Sequence, residues 1–267
     1  MMALMVAGSL LSGIPSASAR DDRVGSAGHS KMPEPLLTES ITDLDGLDAN
    51  EVELDGNAFG GRSAAAATVW QSSLEAEWRA LERLGLALEV GLSGATGSPS
   101  SAVVSLQPAV SFVLVHDQPL DFHLMAEVTG RVGESREANE PIDLGEAAMP
   151  VSAGFRAGLR RSRLTIRGYL GSGMGEHSGH ALPLRAQAAV LVEFGKDGRI
   201  GFAGIESDAD WARRAPLTLS PDVVIRGAFL HLPVNIGVAI PWGVGARAGE
   251  PSFGILLRVT WELDAID

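Results

Sequence analysis

One short segment of this 267-residue sequence combines residue types that could do chemistry. Residues 176–180 read Glu-His-Ser-Gly-His, which places Ser178 between His177 and His180. A serine nucleophile needs a base within hydrogen-bond reach and a third group that orients the imidazole. Adjacent positions in a polar loop do not supply that geometry. We therefore predict no catalytic residue and no enzymatic activity.

Metal and phosphate sites are equally poorly supported. His177 and His180 could bind zinc, but two histidines lack the third and fourth ligands that a zinc site requires. Residues 42–48 alternate acidic with small or apolar residues, yet the glycine and glutamate positions of a calcium loop are not met. Residues 171–175 have the glycine content of a phosphate loop without the Gly-Lys-Ser/Thr that completes it. We predict no metal and no cofactor.

The composition excludes further classes of function. The formal net charge is −12, which argues against nucleic acid as a partner. The chain has no cysteine, so disulfides, thiol chemistry and a lipoprotein anchor are excluded. Mean hydropathy is +0.14, yet no charge-free apolar run reaches the roughly 18 residues of a membrane helix.

Three segments follow one another along the chain. Residues 1–19 carry no charge and end in Ala-Ser-Ala before Arg20, which predicts a cleaved signal peptide; a buried apolar N-terminus is the alternative. Residues 20–50 hold three basic and seven acidic residues, with two prolines and little periodicity. They predict an acidic, disordered periplasmic linker. Residues 51–267 form the third segment.

Apolar residues in the third segment recur at every second position, the mark of strands with two unlike faces. The clearest run is Leu84, Leu86, Leu88, Val90 and Leu92. Reading every such run predicts about twelve strands, or ten if the short ninth run and the glycine-rich first run are discounted. The predicted strands lie near 51–60, 66–81, 83–94, 102–115, 121–133, 146–160, 163–173, 181–195, 198–206, 217–230, 232–243 and 252–264.

Strand length and loop length then indicate a membrane protein. Most predicted strands have about 10–15 residues, whereas strands of soluble sheets usually have about five or six. Strands of about 9–11 residues, tilted near 45°, are long enough to span a bilayer. Short connections alternate with longer polar ones, as in outer-membrane barrels. Four tryptophans fall near strand ends, where aromatic girdles form: Trp70, Trp78, Trp242 and Trp261. The predicted fold is all-β, an antiparallel up-and-down transmembrane β-barrel of about twelve strands.

Over residues 51–264 the chain therefore resembles bacterial outer-membrane β-barrel proteins. Residues 45–59, Trp78-Arg79 and residues 83–86 are similar to the transporters grouped with the phenol meta-degradation outer-membrane family. The resemblance implies a monomer in the Gram-negative outer membrane, in contact with lipid, lipopolysaccharide and the barrel-assembly machinery. Such barrels commonly end on an aromatic residue. Here Trp261 or Leu263 takes its place, or the recognition differs.

The face opposite the apolar rows should line the lumen, because charge facing lipid at mid-depth costs about 2–4 kcal/mol per Arg or Lys. Glutamates come mainly from the first three strands and arginines from later ones. Either a water-filled pore carries a transverse field, or ion pairs across the lumen fill the interior. His123 also faces the lumen by parity. The predicted pore-lining residues are Glu53, Glu75, Glu77, Arg79, Glu89, Glu127, Arg131, Arg156, Arg160, Arg167, Arg185, Arg226 and Arg258.

These patterns predict a channel or transporter for passive passage of small solutes. The family resemblance adds hydrophobic or aromatic solutes to that expectation. The alternatives are a plugged structural or adhesive barrel, an outer-membrane lipid hydrolase, and a soluble secreted β-protein. The histidine and Ser-Asn-Gly pattern of outer-membrane phospholipases is not matched, which disfavours the hydrolase.

Overall fold

The computed structural model describes residue 36 and residues 52–63, 68–95, 103–117, 119–130, 132–133, 151–174, 184–210, 217–244 and 251–263. The predicted signal peptide, nearly all of the predicted linker, residues 42–48, residues 176–180 and Arg131 lie outside the described residues. The predictions made for them stay predictions.

Antiparallel strands make up almost all of the described chain. The strands are β1 Val52–Ser63, β2 Thr68–Leu81, β3 Leu84–Ala95, β4 Val103–Asp117, β5 Phe122–Gly130, β6 Val151–Arg161, β7 Leu164–Met174, β8 Leu184–Phe194, β9 Gly201–Asp210, β10 Leu217–Ile225, β11 Asn235–Ala239 and β12 Pro251–Leu263. Two short segments count with the strands that they follow: Val132–Gly133 follows β5 and pairs with β4, and Trp242–Val244 follows β11 and pairs with β10.

The twelve strands close into a ring. Each strand pairs with its sequence neighbours, and β12 also pairs with β1 in a register that runs from Val52↔Leu263 to Gly61↔Gly254. The ring has no free edge, so every strand has a hydrogen-bonded neighbour on both sides. The predicted antiparallel barrel is confirmed, with twelve strands rather than ten.

The largest boundary errors fall at the ninth and tenth strands. The ninth was predicted to begin at residue 198, but Lys196–Gly198 is a short 3-10 helix flanked by Gly195 at φ 87°. The tenth was predicted to reach residue 230, but Gly227–Leu230 forms a single helical turn. A short apolar run does not distinguish a strand from a helical turn by periodicity alone.

We call the barrel end with the short connections the turn end and the opposite end the loop end. The connections after β2 and β6 are the two-residue turns 82–83 and 162–163. None of the helices in the described part of the chain is long and apolar enough to cross a membrane.

The two faces of the sheet invert the pattern of a soluble protein. On β3, Glu89 is 4% exposed while its neighbour Val90 is 46% exposed. The same alternation runs along β7, where Thr165 and Arg167 are buried and Ile166 is exposed. Polar residues face inward and apolar residues face outward, as a barrel in lipid requires.

Two predicted girdle residues are exposed on the outer face. Trp78 lies toward the turn end, and Trp242 lies toward the loop end, where its ring centroid is 6.3 Å from that of Phe253. Trp70 and Trp261 also point outward by parity, but both are only half-exposed. An aromatic girdle at the membrane interfaces stays a prediction.

The outer face makes a depth-dependent prediction on a single strand. Leu74 lies in the middle of β2 and Leu81 at its turn end, and they are 60% and 62% exposed. Leu74→Arg should lower the free energy of unfolding in lipid vesicles by about 2–4 kcal/mol, because the charge enters the hydrocarbon. Leu81→Arg should cost about 0–1 kcal/mol near the interface. Equal losses, measured by denaturant titration in vesicles, would contradict the assignment of this face to lipid.

Candidate functional site

The inner wall of the barrel is the candidate site. Eleven of the predicted pore-lining residues lie at inward positions of the strands, and Arg226 directly follows β10. Arg79 is half-buried at the turn end, where its Nε donates to the Glu82 carbonyl oxygen at 3.2 Å. The structure thus brings the predicted residues that it describes to one inner surface.

Acidic side chains gather on β1, β2 and β3. The strand register places Glu53 beside Glu77, and Asp55 beside Glu75, which in turn pairs with Glu89. All five carboxylates are buried. Three of them, on Asp55, Glu75 and Glu77, place an oxygen each within 4.8 Å of the others. Such oxygens are the ligands that calcium and magnesium prefer, so these residues could hold a hard cation.

Arginines on the later strands bind acids on the same wall. Arg156 Nη2 lies 3.2 Å from Glu127 Oε2 on the adjacent strand β5. Arg185 makes two bonds to Asp208 on β9, with Nε donating to Oδ1 at 2.9 Å. These pairs run sideways along the wall, whereas one of our two readings expected pairs across the lumen. Buried charges that are paired in this way offset part of their desolvation cost.

Two further pairs lie at the turn end. Arg160 Nε contacts Asp121 Oδ2 at 2.5 Å, and Arg226 Nη2 contacts Glu193 Oε1 at 2.7 Å. Sequence reasoning named both arginines but neither acid. Asp121 lies in a turn, outside the alternation of a strand, whereas Glu193 continues the inward row of β8 and parity could have found it.

The single tyrosine also belongs to this wall. Tyr169 points inward on β7, and the guanidinium carbon of Arg156 lies 5.4 Å from its ring centroid, a cation–π contact. A Cβ built at Gly154 or at Gly171 would fall 2.6 Å or 2.0 Å from Tyr169 atoms. These glycines therefore leave the space that the ring occupies. The sequence patterns did not indicate this role.

Two other inward rings lie over glycines. His123 is buried, as parity predicted for the lumen, and a Cβ at Gly158 would meet its imidazole at 2.1 Å. Phe59 occupies the space above Gly254, and a Cβ built at Gly254 would lie 2.0 Å from Phe59 Cε2. At these positions glycine on a neighbouring strand leaves the space that the ring occupies.

Part of the inner wall is apolar, which the alternation did not predict. This apolar patch comes from β8, β9, β10, β11, β12, β1 and β2, and Leu36 from the N-terminal segment belongs to the same cluster. The patch consists of Phe59, Val69, Ala189, Leu191, Phe202, Val224, Ala239 and Leu256.

Acidic groups outnumber basic ones on this wall. Among the described residues, the buried charged side chains are ten carboxylates and four guanidinium groups. The carboxylates are Glu53, Asp55, Glu75, Glu77, Glu89, Glu127, Glu193, Glu206, Asp208 and Asp222, and the guanidinium groups are Arg156, Arg167, Arg185 and Arg258. The formal charge of the interior is therefore negative.

Two solved structures of other proteins have a similar architecture. The chain is similar to the KdgM porin, with a TM-score of 0.55 and 10% identity over 79% of this chain and 99% of that one. It is also similar to the COG4313 outer membrane channel from Pseudomonas putida F1, with a TM-score of 0.53 and 12% identity over 87% and 100%. No family model and no curated relative matches the sequence.

At these identities the likeness shows the fold. The closed ring, the apolar outer face and the charged inner face define an outer-membrane-type β-barrel, the fold that those two channels share. The outer membrane phospholipase A from Escherichia coli is matched at a TM-score of 0.47 with 8% identity over 79% of this chain and 96% of that one, too low to bear on activity.

The packing of Tyr169 can be tested on its own strand. Gly171→Ala should destabilise the barrel by about 1–3 kcal/mol, because the new Cβ meets the ring. Gly168→Ala is the control, since the nearest atom to its Cβ is 3.7 Å away on the opposite face of β7. In a Tyr169→Ala background the cost of Gly171→Ala should disappear. An unchanged cost in that background, measured by denaturant unfolding, would show that the ring is not the cause.

Proposed function

We propose that this chain is an outer-membrane channel for passive passage of small solutes. The observation that carries the proposal is the pair of unlike faces, with exposed apolar side chains outside and many charged side chains inside a closed ring. A barrel that only anchored a structure in lipid would not need so many ionised groups at inward positions. The fold shared with two channel proteins supports the same conclusion.

The charge of the inner wall supports a preference for cations. Ten buried carboxylates face four buried guanidinium groups in the described part of the chain. Fixed charges of one sign in a low-dielectric channel raise the local concentration of counter-ions. The apolar patch adds a surface for solutes that have apolar parts, in keeping with the expected hydrophobic or aromatic solutes. The membership of the phenol meta-degradation family stays a prediction.

The structural barrel with a plugged lumen is a second candidate, and one observation favours it. Inward side chains such as Glu75, Gln107 and Glu206 are almost fully inaccessible to water, at 1% exposure or less. A lumen packed to this degree passes only small solutes or none. The lipid hydrolase is supported by no geometry in the described residues, and its serine and histidines lie outside them.

The partners that we propose follow from the location. Exposed leucine, valine and phenylalanine on the outer face suit contact with outer-membrane lipid and lipopolysaccharide. Insertion would need the barrel-assembly machinery, and a closed ring allows the protein to act as a monomer. Export by a cleaved signal peptide remains part of the same proposal.

Conductance and selectivity test the channel. The purified protein should give small step-like currents in planar bilayers and a reversal potential in a KCl gradient that indicates cation preference. Replacing Glu75 and Glu77 together by glutamine should lower the cation-to-anion permeability ratio, because two lumen charges are lost. Glu82→Gln, in the exposed turn of the same hairpin, should leave the ratio unchanged.

Two results would decide against the channel. Silent bilayers with protein that shows heat-modifiable gel mobility would favour the plugged barrel. Liposome swelling that does not depend on solute size would show leakage around the protein instead of passage through it.

A further inference from the structure

We propose that the inner wall contains a binding site for a small organic ammonium ion with a branched apolar body, and that Leu36 occupies this site within the same chain. We name it the Leu36 site, and it consists of Glu206, Asp222, Val224 and Gly237 together with the apolar patch. It deepens the proposed function and rests on it for the entry of solutes into the lumen.

The position of Leu36 is the first observation. It is 2% exposed, although it precedes the barrel by sixteen residues in sequence. Its backbone N–H donates to Glu206 Oε1, 170 residues away along the chain. The interaction therefore seats one residue of the N-terminal segment on the inner wall at β9.

The apolar part of the site has the size of a leucine side chain. A Cβ built at Gly237 would fall 2.6 Å and 2.8 Å from the two Leu36 Cδ atoms and 3.1 Å from Val224 Cγ2. A larger side chain at this position of β11 would displace the isobutyl group from where it lies. The occupied space is thus a defined pocket, bounded by Val224 on the neighbouring strand.

A pair of buried acids is the second observation. Asp222 is 6% exposed, both of its carboxylate oxygens are buried, and its side chain is hydrogen-bonded to that of Glu206. It is a diagonal neighbour of Glu206 across β9 and β10, because Asp222 pairs with Gly204 and Glu206 pairs with Ser220. Two acids in hydrogen-bond contact must share a proton, and a cation that donates to both can take the place of that proton.

The arginine nearest in register does not supply that cation. Arg258 lies on the same inner face, in register with Gly237 and Val224. Its Nε donates at 3.0 Å to Asn57 Oδ1 on β1, on the side of β12 away from β10. Arg185, on β8, bonds to Asp208.

The ligand class follows from these groups together. Leu36 offers an isobutyl group to the pocket and one N–H donor to Glu206, but no positive charge to the pair of acids. A primary ammonium ion with an isobutyl-sized body offers the same apolar group with three donors and a positive charge. It would therefore satisfy both carboxylates, and Leu36 would compete with it for the pocket.

Isothermal titration calorimetry of the full chain in detergent micelles tests the site. The probe is 3-methylbutylammonium, and the matched compounds are 3-methylbutan-1-ol and 3-methylbutanoate, which have the same body without the positive charge. We expect the ammonium ion to bind at least about tenfold more tightly than either, because charge-assisted hydrogen bonds to buried carboxylates are the stronger ones.

Variants separate the site from general attraction by the acidic lumen. Leu36→Gly should tighten binding of the ammonium ion about tenfold or more, since the competing side chain is gone. Asp222→Asn should weaken binding about tenfold or more, whereas Glu89→Gln, an inward acid of β3, should change it by less than about threefold. Heat-modifiable gel mobility verifies folding, and Leu36→Ala and Glu206→Gln are the substitutes if a variant does not fold.

Two outcomes would overturn the site. One is a Leu36→Gly protein that binds the ammonium ion no more tightly than the unaltered chain, or no binding by either protein. The other is an equal loss of affinity in Asp222→Asn and Glu89→Gln, which would show diffuse attraction. Binding in micelles together with silent bilayers would remove the channel and leave the site.

Discussion

Backbone hydrogen bonding in lipid is the constraint on which this structure depends. Hydrocarbon offers no partner for an N–H or a carbonyl group, so a sheet can cross a membrane only when its edges are joined. The pairing of β1 with β12 over nearly the full length of both strands joins them here. Once the ring is closed, every strand residue must face either lipid or lumen, and the two-residue period of the sequence follows from that choice.

Closure also determines how the interior is held together. The inner wall is curved, and side chains from many strands converge on it. Two kinds of contact hold large side chains against the wall. Charges pair between adjacent strands, as in Arg185 with Asp208, and rings lie over glycines, as in Tyr169 over Gly171. Sideways pairing leaves the acids of β1 to β3 and the arginines of β6 to β8 on separate parts of the ring. The acids of the first three strands therefore stay apart from the arginines, even though those arginines are paired with acids on their own part of the ring.

The alternation of apolar and polar residues predicted which side chains face outward and which face inward. It supplied the strand number, the apolar outer face and the inward position of the eleven described strand residues that it had assigned to the inner face. It did not supply Asp208, because the predicted ninth strand ended at residue 206 and its continuation was assigned to a loop. It did not supply Leu36 either, since a contact across 170 residues leaves no local pattern. Cross-strand packing such as that of Tyr169 over Gly154 depends on register, which a single strand does not encode.

The placement of the tyrosine changes the meaning of the low aromatic content. A sequence with one tyrosine and five tryptophans has few residues for two interfacial girdles. Because Tyr169 is on the inner wall, the outer face depends on tryptophan and phenylalanine alone, and Trp242 beside Phe253 is one such pair at the loop end. With so few aromatic residues outside, we expect the extent of the apolar band to set how deeply the barrel lies in the bilayer. Tyr169, which has Arg156 over its ring, instead belongs to the charged surface that a solute would meet.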